Sequence, residues 1–582
     1  MVNTPTLTPA RPADPADPPA APSRWRRVRP HLSAAVVYVG LGLLVMGGYL
    51  ADPGRTISGH LAGDNTWFQW LLSHGAYSVR HLSNPLFSQQ QNAPEGVNMI
   101  ANTSVLGVTL PMAPVTMLLG PRWAYLIWMV GASAGTAFSA YWVLQRHLVR
   151  SRAAAFVAGA FAGFAPGIIH HANGQPNFVS NFALPLIVAR IARLGVDGRW
   201  RRDGLILGGL VTYQLFINEE LLLITAVAGL ILTGVHAAMR PAEARRRAGA
   251  FLRAIGVTAV VAGVLCAYPI WFQFHGPQSF SSMPYFTDWG EDPLAYLTFA
   301  RDTLAGTPAS EATVGHSEQN SYWGWPLTLV ALVLAVMLWR RSVVARVAAV
   351  TAVVGAVLSL GPVLRIGGLL TDTPGPLAAM PEEMPVFGLL MPSRLTFIVI
   401  GAIVVLLAVG WDKLKAPAWR ALMAAALLPL VPTPVPAIPD APPPAFITSG
   451  AWRPYVPAGH TLVPVPLPDS MRGRDALSWN AAALHEFAMP QGYFLGPDVN
   501  GKGRMGPAWA TTLGRLVDET YKAGTAPQVS AEDQVAVRGE VARWRGSVLV
   551  VRADAAHEPL RGLVEQIFGP ARQDHDVWVW TP

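Results

Sequence analysis

The sequence predicts an all-α polytopic membrane protein that carries a C-terminal extracytoplasmic α/β domain. The chain of 582 residues is 52% hydrophobic and only 13% charged, whereas soluble domains are near 25% charged. Its apolar runs are numerous and long enough to cross a bilayer. After residue 432 these runs stop and ordinary soluble sequence follows. We therefore expect about 11 transmembrane helices, interfacial helices in the first outer loop, and a separate domain at the C-terminal end.

The charge and cysteine content exclude several classes of protein. The formal net charge is +8, but the basic residues form short clusters between apolar runs. This is the pattern of cytoplasmic loops and not of a nucleic-acid surface, so no nucleic acid partner is expected. The single cysteine, Cys266, lies inside an apolar run, which excludes an intrachain disulfide and indicates no zinc or iron–sulfur site.

Eleven apolar runs are interpreted as spans. They cover residues 32–50, 123–145, 153–170, 178–194, 204–218, 221–239, 254–274, 325–339, 343–361, 395–411 and 418–432. Some of these runs are short and need tilted or partly sunken ends. The first run is interpreted as a retained span, because it comes late and no small-residue cleavage site follows it cleanly.

The loops between the spans alternate in charge. One set of loops holds 23 Lys or Arg residues and the other set holds six. Because positively charged loops stay in the cytoplasm, we expect the amino terminus inside and the C-terminal domain outside the plasma membrane. The run 104–120 is apolar, but counting it as a span would place five arginines of 240–253 outside. It also carries Pro111 and Pro114, and we interpret it as an outer interfacial helix or a re-entrant segment.

Four regions follow from these patterns. They are a disordered cytoplasmic tail (1–31), a transmembrane domain (32–432), a Pro-rich linker (433–446) and an extracytoplasmic α/β domain (447–582). The tail is rich in Pro, Ala and Asp and cannot bury a core, and the linker is expected to be stiff and extended. In the last region, HTLVPVPLP and GSVLVVRA predict strands, while AWATTLGRLVDETYKAG and HEPLRGLVEQIFG predict helices.

Acidic residues that abut apolar helices on the outer side are the candidate catalytic residues. Asp64 opens the stretch DNTWFQWLLSHGAYSVRHL in the first outer loop, and Glu219 and Glu220 lie in the hairpin FINEELLL. A charged residue at the membrane rim that faces the helix bundle usually has a functional role. A simpler interpretation makes Asp64 a helix N-cap, and the two roles are compatible. Other acids in the outer loops include Glu95, Asp288, Glu291, Asp292, Asp302, Glu311, Glu318, Glu382 and Glu383.

This layout resembles the GT-C superfamily of integral-membrane glycosyltransferases, which includes the protein O-mannosyltransferases and the lipid A aminoarabinose transferases. The resemblance rests on a cytoplasmic start, one span, a long outer loop that opens with an acid, an interfacial helix that ends in LLG (118–120), and a span that ends in basic residues. The phrases NPLFSQQQNAPEGVNMIANTSVLGVTLPMAPVTMLLGP, GPVLRIGG and MPSRLTF are similar to an actinobacterial branch of that group. The similarity covers most of 32–432.

The resemblance implies an inverting transfer of a hexosyl or pentosyl group from a polyprenyl-phosphate carrier to a cell-envelope glycan, lipid or protein on the outer face. Members place an acid in the first outer loop as general base or metal ligand, and Asp64 matches that position. Many members have a second acid beside it, where this chain has Asn65, and an acid in the hairpin after the third span, where this chain has HHANGQPN. A divalent metal ion is left open as a cofactor, and no metal ligands are assigned.

The candidate substrate-binding residues are polar and aromatic residues expected at the outer rim. Arg394, in MPSRLTF, is the candidate for the donor phosphate, because Arg can hold phosphate with two parallel hydrogen bonds. Its alternative role is a snorkelling anchor at a helix end. His171, Gln175 and Asn177 lie in the hairpin HHANGQPN. Trp67 is a candidate for stacking on a sugar, with an interfacial aromatic belt as the alternative.

A non-enzymatic membrane protein is the alternative function: a lipid or polysaccharide transporter, or an assembly factor on a degenerate form of the same fold. Transporters favour internal repeats and charges at the membrane midplane, whereas this chain shows no repeat and its charges lie at one rim. Because the second acid of the family is missing, the assembly factor remains an alternative function. Convergence of Asp64, the 218–220 hairpin and Arg394 on one outward site would favour the enzyme.

Overall fold

The computed structural model describes residues 24–195, 198–281, 283, 289–309, 314, 318–380 and 390–582, with the backbone alone for 24–27. The first 23 residues of the predicted tail and four of the outer-loop acids, Asp288, Glu311, Glu382 and Glu383, lie outside the described residues. The first helix begins at Arg24. The prediction of a disordered tail is therefore wrong for residues 24–31, because this helix runs through them into the first apolar run.

The described part of the chain is mainly helical. In chain order its α-helices are α1 (Arg24–Val45), α2 (Gly47–Leu50), α3 (Ala62–His81), α4 (Leu106–Thr109), α5 (Ala113–His147), α6 (Arg152–Phe164), α7 (Pro166–His171), α8 (Pro176–Val179), α9 (Leu184–Ile191), α10 (Trp200–Leu215), α11 (Glu219–Met239), α12 (Pro241–His275), α13 (Gly324–Leu338), α14 (Val343–Ser359), α15 (Thr396–Lys413), α16 (Pro417–Leu427), α17 (Ala445–Thr448), α18 (Arg474–Ala482), α19 (Thr512–Ala523), α20 (Ala531–Arg543) and α21 (Glu558–Phe568).

The strands are short and belong to small sheets. They are β1 (Thr56–Ser58), β2 (Phe87–Ser88), β3 (Val97–Asn98), β4 (Val363–Ile366), β5 (Leu369–Pro374), β6 (Ala437–Pro439), β7 (Thr461–Pro464), β8 (Leu495–Pro497), β9 (Gly503–Met505), β10 (Gly546–Arg552), β11 (Arg572–Asp574) and β12 (Val577–Trp580).

Side-chain caps fix where several helices begin. An oxygen of the residue before the helix accepts a hydrogen bond from the backbone N–H three residues further on, which satisfies a donor that the helix itself leaves free. This cap is made by Ser151, Asn218, Ser342, Thr511 and Ser530. Short polar residues at these points therefore separate one apolar helix from the loop before it.

The predicted spans coincide with helices. By length and composition, α1, α5, α11, α12 and α15 are able to cross a membrane, and α6, α13, α14 and α16 are shorter apolar helices. The predicted span 178–194 is divided between α8 and α9. The chain is a helical membrane protein with a C-terminal domain, while the number of eleven crossings stays a prediction.

The ambiguous run 104–120 forms α4 and the first part of α5. The helix breaks at Gly120, whose φ of 81° and ψ of 165° are not helical, and Pro121 follows. Before this break α5 contains residues 113–119, a length of about 10 Å at 1.5 Å per residue. A segment of that length cannot cross a hydrocarbon core about 30 Å thick. The break therefore agrees with an interfacial or re-entrant segment.

Helix α3 is buried between other elements of the protein. Its buried residues include the large side chains of Trp67, Trp70 and Leu72. It packs against α5 on one side and against α18 of the C-terminal domain on the other. Both of its apolar sides are therefore covered by protein, and the interfacial position of this stretch stays a prediction.

The C-terminal domain has a mixed four-stranded sheet in the order β11, β12, β10, β7. Strands β10 and β7 are parallel, and β12 is antiparallel to both of its neighbours. Helices α19, α20 and α21 cover one face of the sheet around Leu516, Val541 and Leu563. The predicted strands correspond to β7 and β10, and the predicted helices to α19 and α21, so the secondary-structure predictions in this domain are confirmed.

The Pro-rich segment 433–446 is extended, but it is attached to the first outer loop along its length. Strand β6 pairs antiparallel with β1. The buried carboxylate of Asp440 bridges Arg122, near the break in α5, and Arg474 of α18, at 2.5 and 2.6 Å. The segment is therefore a structural connection between the helical part and the outer domain, and not a free linker.

The C-terminal domain is docked on α3 by buried polar contacts. The indole Nε1 of Trp70 donates to Asn480 Oδ1 at 2.8 Å, and Ser73 Oγ donates to the carbonyl of Ala481 at 2.8 Å. Beside them, the buried rings of His74 and His485 lie 5.9 Å apart between centroids. Neither ring nitrogen of His485 has a well-formed hydrogen bond. Two neutral imidazoles therefore belong to this interface.

The orientation of the chain can be tested with its one cysteine. In a Cys266→Ala background, Ser530→Cys should react with an impermeant thiol reagent on whole cells and Arg245→Cys should not. The physical reason is the 23-to-six split of basic residues between the two sets of loops. Labelling is measured after solubilisation and purification, with permeabilised cells as the control in which both cysteines react. The reverse pattern would contradict the predicted orientation.

The docked interface should be sensitive to acid. Burial lowers the pKa of His74 to about 4, and burial together with His74 lowers the pKa of His485 well below its usual range. An exposed His in the unfolded chain titrates near pH 6.5, so the unfolded chain binds more protons between about pH 6.5 and 4. Stability should be constant above that window and fall within it, by ~3 kcal/mol for a shift of the size seen at His74.

The measurement is the melting temperature in detergent as a function of pH, followed by tryptophan fluorescence. His485→Phe removes one of the two rings and should flatten the decline below pH 6.5. His460→Phe, at an exposed position, is the matched control and should keep the parent's pH dependence. Identical curves for His485→Phe and the parent would show that this His pair does not control the acid response.

Candidate active site

Asp64 lies in the first turn of α3 and is not its N-cap. The cap position is Leu61, which makes no side-chain cap, so the predicted capping role is wrong. The carboxylate instead accepts two long-range hydrogen bonds. Gln175 Nε2 donates to Oδ2 at 2.7 Å, and the hydroxyl of Tyr493 donates to Oδ1 at 2.6 Å. Asp64 therefore joins the first outer loop, the 171–177 hairpin and the C-terminal domain.

A glycine allows the hairpin to approach α3. A Cβ atom on Gly174 would lie 2.6 Å from Leu61 Cβ and 2.7 Å from the Leu61 carbonyl oxygen. These distances are shorter than van der Waals contact, and the obstacle is partly backbone. Any larger residue would push the hairpin away from the start of α3, and the neighbouring Gln175 would move away from Asp64.

His171 continues the hydrogen-bonded chain away from Asp64. Its Nδ1 lies 2.6 Å from Gln175 Oε1, and its Nε2 lies 2.9 Å from Asn320 Oδ1. The ring is buried and stacks on Phe178 at 4.5 Å between centroids. His171 therefore has no surface open to a substrate, and the structure gives it an internal bonding role.

The bonding pattern around His171 favours a doubly protonated ring. Gln175 and Asn320 each direct their amide nitrogen to a carboxylate, Asp64 in one case and Glu318 in the other. Both amides consequently present an oxygen to the imidazole, and only the imidazolium form donates from both nitrogens. Burial of the ring outweighs this pattern and lowers the pKa of His171, although Glu318, 4.0 Å from Nε2, favours the charge.

Arg394 is the centre of a buried ion cluster. Its Nε and Nη2 donate to the two oxygens of Glu318 at 3.0 and 2.6 Å, and Nη1 donates to Glu220. Its guanidinium carbon lies 4.2 Å from the centre of the Phe178 ring. Burial alone raises the pKa of Glu318, but Arg394 outweighs it and holds that pKa well below its usual range. The fork expected to bind phosphate is occupied by Glu318.

The two glutamates of the 218–220 hairpin have different partners. Glu220 belongs to the Arg394 cluster and also accepts the backbone N–H of Met391 at 3.1 Å. Glu219 accepts from Gln273 Nε2 of α12 at 3.0 Å. The hairpin therefore contributes Glu220 to the network that reaches Asp64, and Glu219 lies apart from it.

Trp67 and Asn177 do not present an open binding surface. Trp67 is stacked on Trp70 at 5.2 Å and meets Tyr493 edge-on at 6.2 Å between centroids. Trp67 is thus buried among aromatic rings, and its sugar-stacking and membrane-belt interpretations stay predictions. Asn177 is also buried, and its Oδ1 has no hydrogen-bond partner within the part of the chain that the structure describes.

Sequence reasoning did not single out Glu318, Asn320 and Tyr493. Glu318 was one of many outer-loop acids, and nothing local separates it from the others. Tyr493 lies 429 residues from Asp64 in the chain, so no local pattern could connect them. Glu291 is a further buried acid beside this region, and its burial raises its pKa to about 8. At neutral pH it therefore retains its proton.

The residues around Asp64 do not fit a metal ion. The partners of its two oxygens are an amide N–H and a phenol O–H, which are donors, and a hard divalent cation needs several oxygen ligands. Among the described residues, no cluster of three or more His, Cys, Asp or Glu side chains is arranged to hold a metal. The chemistry below is therefore derived from the side chains alone.

Known structures share this architecture. The arabinofuranosyltransferase AftD from Mycobacteria is similar with a TM-score of 0.59 and 14% identity, covering 95% of this chain and 41% of that one. The archaeal oligosaccharyltransferase AglB from Archaeoglobus fulgidus, in complex with an inhibitory peptide and a dolichol-phosphate, is similar with a TM-score of 0.50 and 11% identity, covering 94% of this chain and 72% of that one. No protein-family model and no curated protein matches the sequence.

These similarities show the fold of this chain. Both structures are membrane glycosyltransferases of the GT-C fold, and this chain has that fold, as its sequence layout predicted. At 14% and 11% identity the similarity concerns the fold alone. The chain spans less than half the length of the AftD structure.

The ion cluster should be essential for stability. Arg394→Met removes the cation and leaves Glu318 and Glu220 buried without it, a change that typically costs about 3–5 kcal/mol. Arg80→Met is the matched control, because the Arg80–Glu486 pair has a similarly short distance of 2.7 Å but Arg80 is 55% exposed. Exposed pairs contribute about 0–1 kcal/mol. Melting temperatures in detergent should fall strongly for Arg394→Met only, and equal losses would contradict a buried, mutually dependent cluster.

Proposed function

We propose that this protein is a membrane glycosyltransferase that transfers a sugar from a polyprenyl-phosphate donor to a cell-envelope acceptor on the outer face of the plasma membrane. Asp64 acts as the general base. The proposal combines the GT-C fold with one observation about the site: the carboxylate of Asp64 is held between Gln175 and Tyr493, where three parts of the chain meet. Such fixed geometry is what a base needs in order to meet an acceptor hydroxyl.

The chemistry requires few groups from the protein. As the acceptor oxygen attacks the anomeric carbon, its proton passes to Asp64, and the bond between that carbon and the phosphate oxygen breaks. The phosphate leaves as an anion, so the leaving group needs no acid. Each oxygen of Asp64 accepts one of the two side-chain hydrogen bonds described above and keeps a lone pair for the proton. A single displacement of this kind inverts the anomeric centre.

The network behind Asp64 supports its position. From Gln175 the hydrogen bonds run through His171 and Asn320 to Glu318, which Arg394 holds in turn. We assign Arg394 as a positioning residue and not as the phosphate ligand, because Glu318 occupies its fork. In this proposal the outer domain contributes Tyr493 directly to the site.

Asp64→Asn tests the proposed base. Asn has nearly the same shape but cannot take up a proton, and loss of a general base typically lowers the rate by 10²–10⁴-fold. Asp52→Asn, at an exposed acid of the same loop, is the matched control and should keep the parent's activity. The measurement is sugar transfer in membranes, or restoration of the envelope glycan in a deletion strain, at equal expression.

If Asp64→Asn transfers sugar at the rate of the parent, Asp64 is not the general base. The catalytic carboxylate would then have to be sought at Glu219, Glu220 or in the 288–318 loop. Absence of transfer by the parent chain with every donor tested would instead favour the assembly factor.

A further inference from the structure

A cleft lies between the first outer loop, the segment after α12 and the C-terminal domain. With its open mouth included, it encloses about 650 Å³. Asn92 and Glu95 line it from the first outer loop, Gln278 from the segment after α12, and Gln491 and Asp498 from the C-terminal domain. None of the residues assigned above to the Asp64 network lines this cleft.

Backbone strain is concentrated in the walls of the cleft. Asn92, Gln278 and Gln491 have φ angles of 53°, 57° and 61°. This left-handed region is rarely adopted by residues other than glycine, and such residues collect at ligand sites, where the surrounding structure maintains them. The backbone N–H of Asn92 also donates to the carbonyl of Gln491 at 2.6 Å, which joins two of the strained residues.

Two amide side chains in the cleft make no hydrogen bond to the part of the chain that the structure describes. Gln278 and Gln491 are half-buried, and neither side chain makes a hydrogen bond to another described residue. Each amide offers two donors and one acceptor. Asp498 adds a carboxylate whose Oδ1 accepts the backbone N–H groups of Asn500 and Lys502. The cleft therefore presents neutral hydrogen-bonding groups beside one fixed negative charge.

An aromatic ring forms another part of the wall. Trp509 lines the cleft and is 40% exposed. The guanidinium of Arg543 lies over its ring at 4.1 Å and is paired with Glu95 at 2.8 Å. These contacts hold the indole in place while leaving part of it open to a ligand.

The chemistry of these groups selects one class of ligand. Amides and carboxylates that bind through several hydrogen bonds suit hydroxyl groups, which both donate and accept. The C–H face of a sugar ring packs on an aromatic ring, and Trp509 offers such a ring in this cleft. The carboxylate of Asp498 disfavours an anion, and so disfavours the phosphate of a lipid donor.

We propose that this cleft binds an uncharged oligosaccharide, namely the glycan chain of the acceptor. Gln491 and Phe494 line the cleft, and Tyr493 between them donates its hydroxyl to Asp64. One short segment therefore contacts both the proposed base and the glycan site. The assignment rests on the proposed function and specifies its acceptor as a sugar chain that binds through units beyond the one that reacts.

Binding to the purified full-length chain in detergent tests the assignment. The probes are maltohexaose, mannohexaose and a linear arabinofuranosyl hexasaccharide, and the dissociation constants are measured by calorimetry and by saturation-transfer NMR. At least one hexasaccharide should bind saturably. Trp509→Ala should weaken that binding by about tenfold or more, as is usual when a central aromatic contact is removed. Gln491→Ala should weaken it as well.

Trp325→Ala is the matched control, since Trp325 is 57% exposed and lies outside the cleft, and it should bind as the parent does. Inorganic phosphate and an uncharged decapeptide are the competing ligands. The assignment is overturned if no hexasaccharide binds, if Trp509→Ala binds like the parent, or if the peptide or phosphate binds in a Trp509-dependent manner. Melting temperatures show whether Trp509→Ala is folded, and Gln491→Ala provides the second test if it is not.

The same probes separate this inference from the proposed catalysis. Asp64→Asn does not alter the cleft, so it should bind the hexasaccharide while losing transfer. Transfer by the parent without any hexasaccharide binding would overturn the glycan site and leave the base assignment intact. Hexasaccharide binding that depends on Trp509, together with full transfer by Asp64→Asn, would support the glycan site and overturn the base assignment.

Discussion

The placement of one buried cation orders the centre of this molecule. Arg394 cannot be buried without counter-charges, because the loss of hydration is too costly, and it obtains them from Glu318 and Glu220. These three residues belong to three segments that are far apart in the chain. Satisfying the guanidinium therefore fixes the start of α15, the start of α11 and the loop before α13 relative to one another.

The remaining polar chain depends on that cluster. Glu318 orients Asn320, Asn320 meets His171, and His171 meets Gln175, whose amide reaches Asp64. Each buried polar group has a partner, which is the condition under which such networks are rigid. A carboxylate held in this way is ready for reaction without reorganisation. Gly167 permits the approach of Asn320, since a Cβ there would lie 2.7 Å from its carbonyl oxygen.

The C-terminal domain takes part in the site and is not an appendage. Asp440 ties its connecting segment to Arg122 and Arg474, Trp70 and Ser73 hold α18, and Tyr493 contacts Asp64. His74 and His485 lie within this same interface. Loosening the interface would withdraw Tyr493 from the proposed base and open the glycan cleft, so stability and function are coupled through one surface.

The helical class, the positions of the apolar helices and the elements of the outer domain were readable in the sequence, because hydrophobic periodicity and loop charge are local properties. The layout also led to Asp64, Glu220, His171, Gln175 and Arg394 as candidates, and these residues meet in the folded protein. The sequence did not indicate which other residues these candidates contact. Arg394 was expected to bind a phosphate, but a carboxylate from another loop occupies its guanidinium instead.

Trp67 shows the same limit in an aromatic side chain. Its helix looks interfacial in sequence, because composition does not reveal that α5 and α18 cover both sides of it. No local sequence pattern predicted the role of Tyr493 or the wall of the cleft, since both depend on contacts between segments hundreds of residues apart. Local patterns establish which residues prefer to be buried. The pairing of buried charges and amides was settled only by packing, because each such group must find its partner in three dimensions.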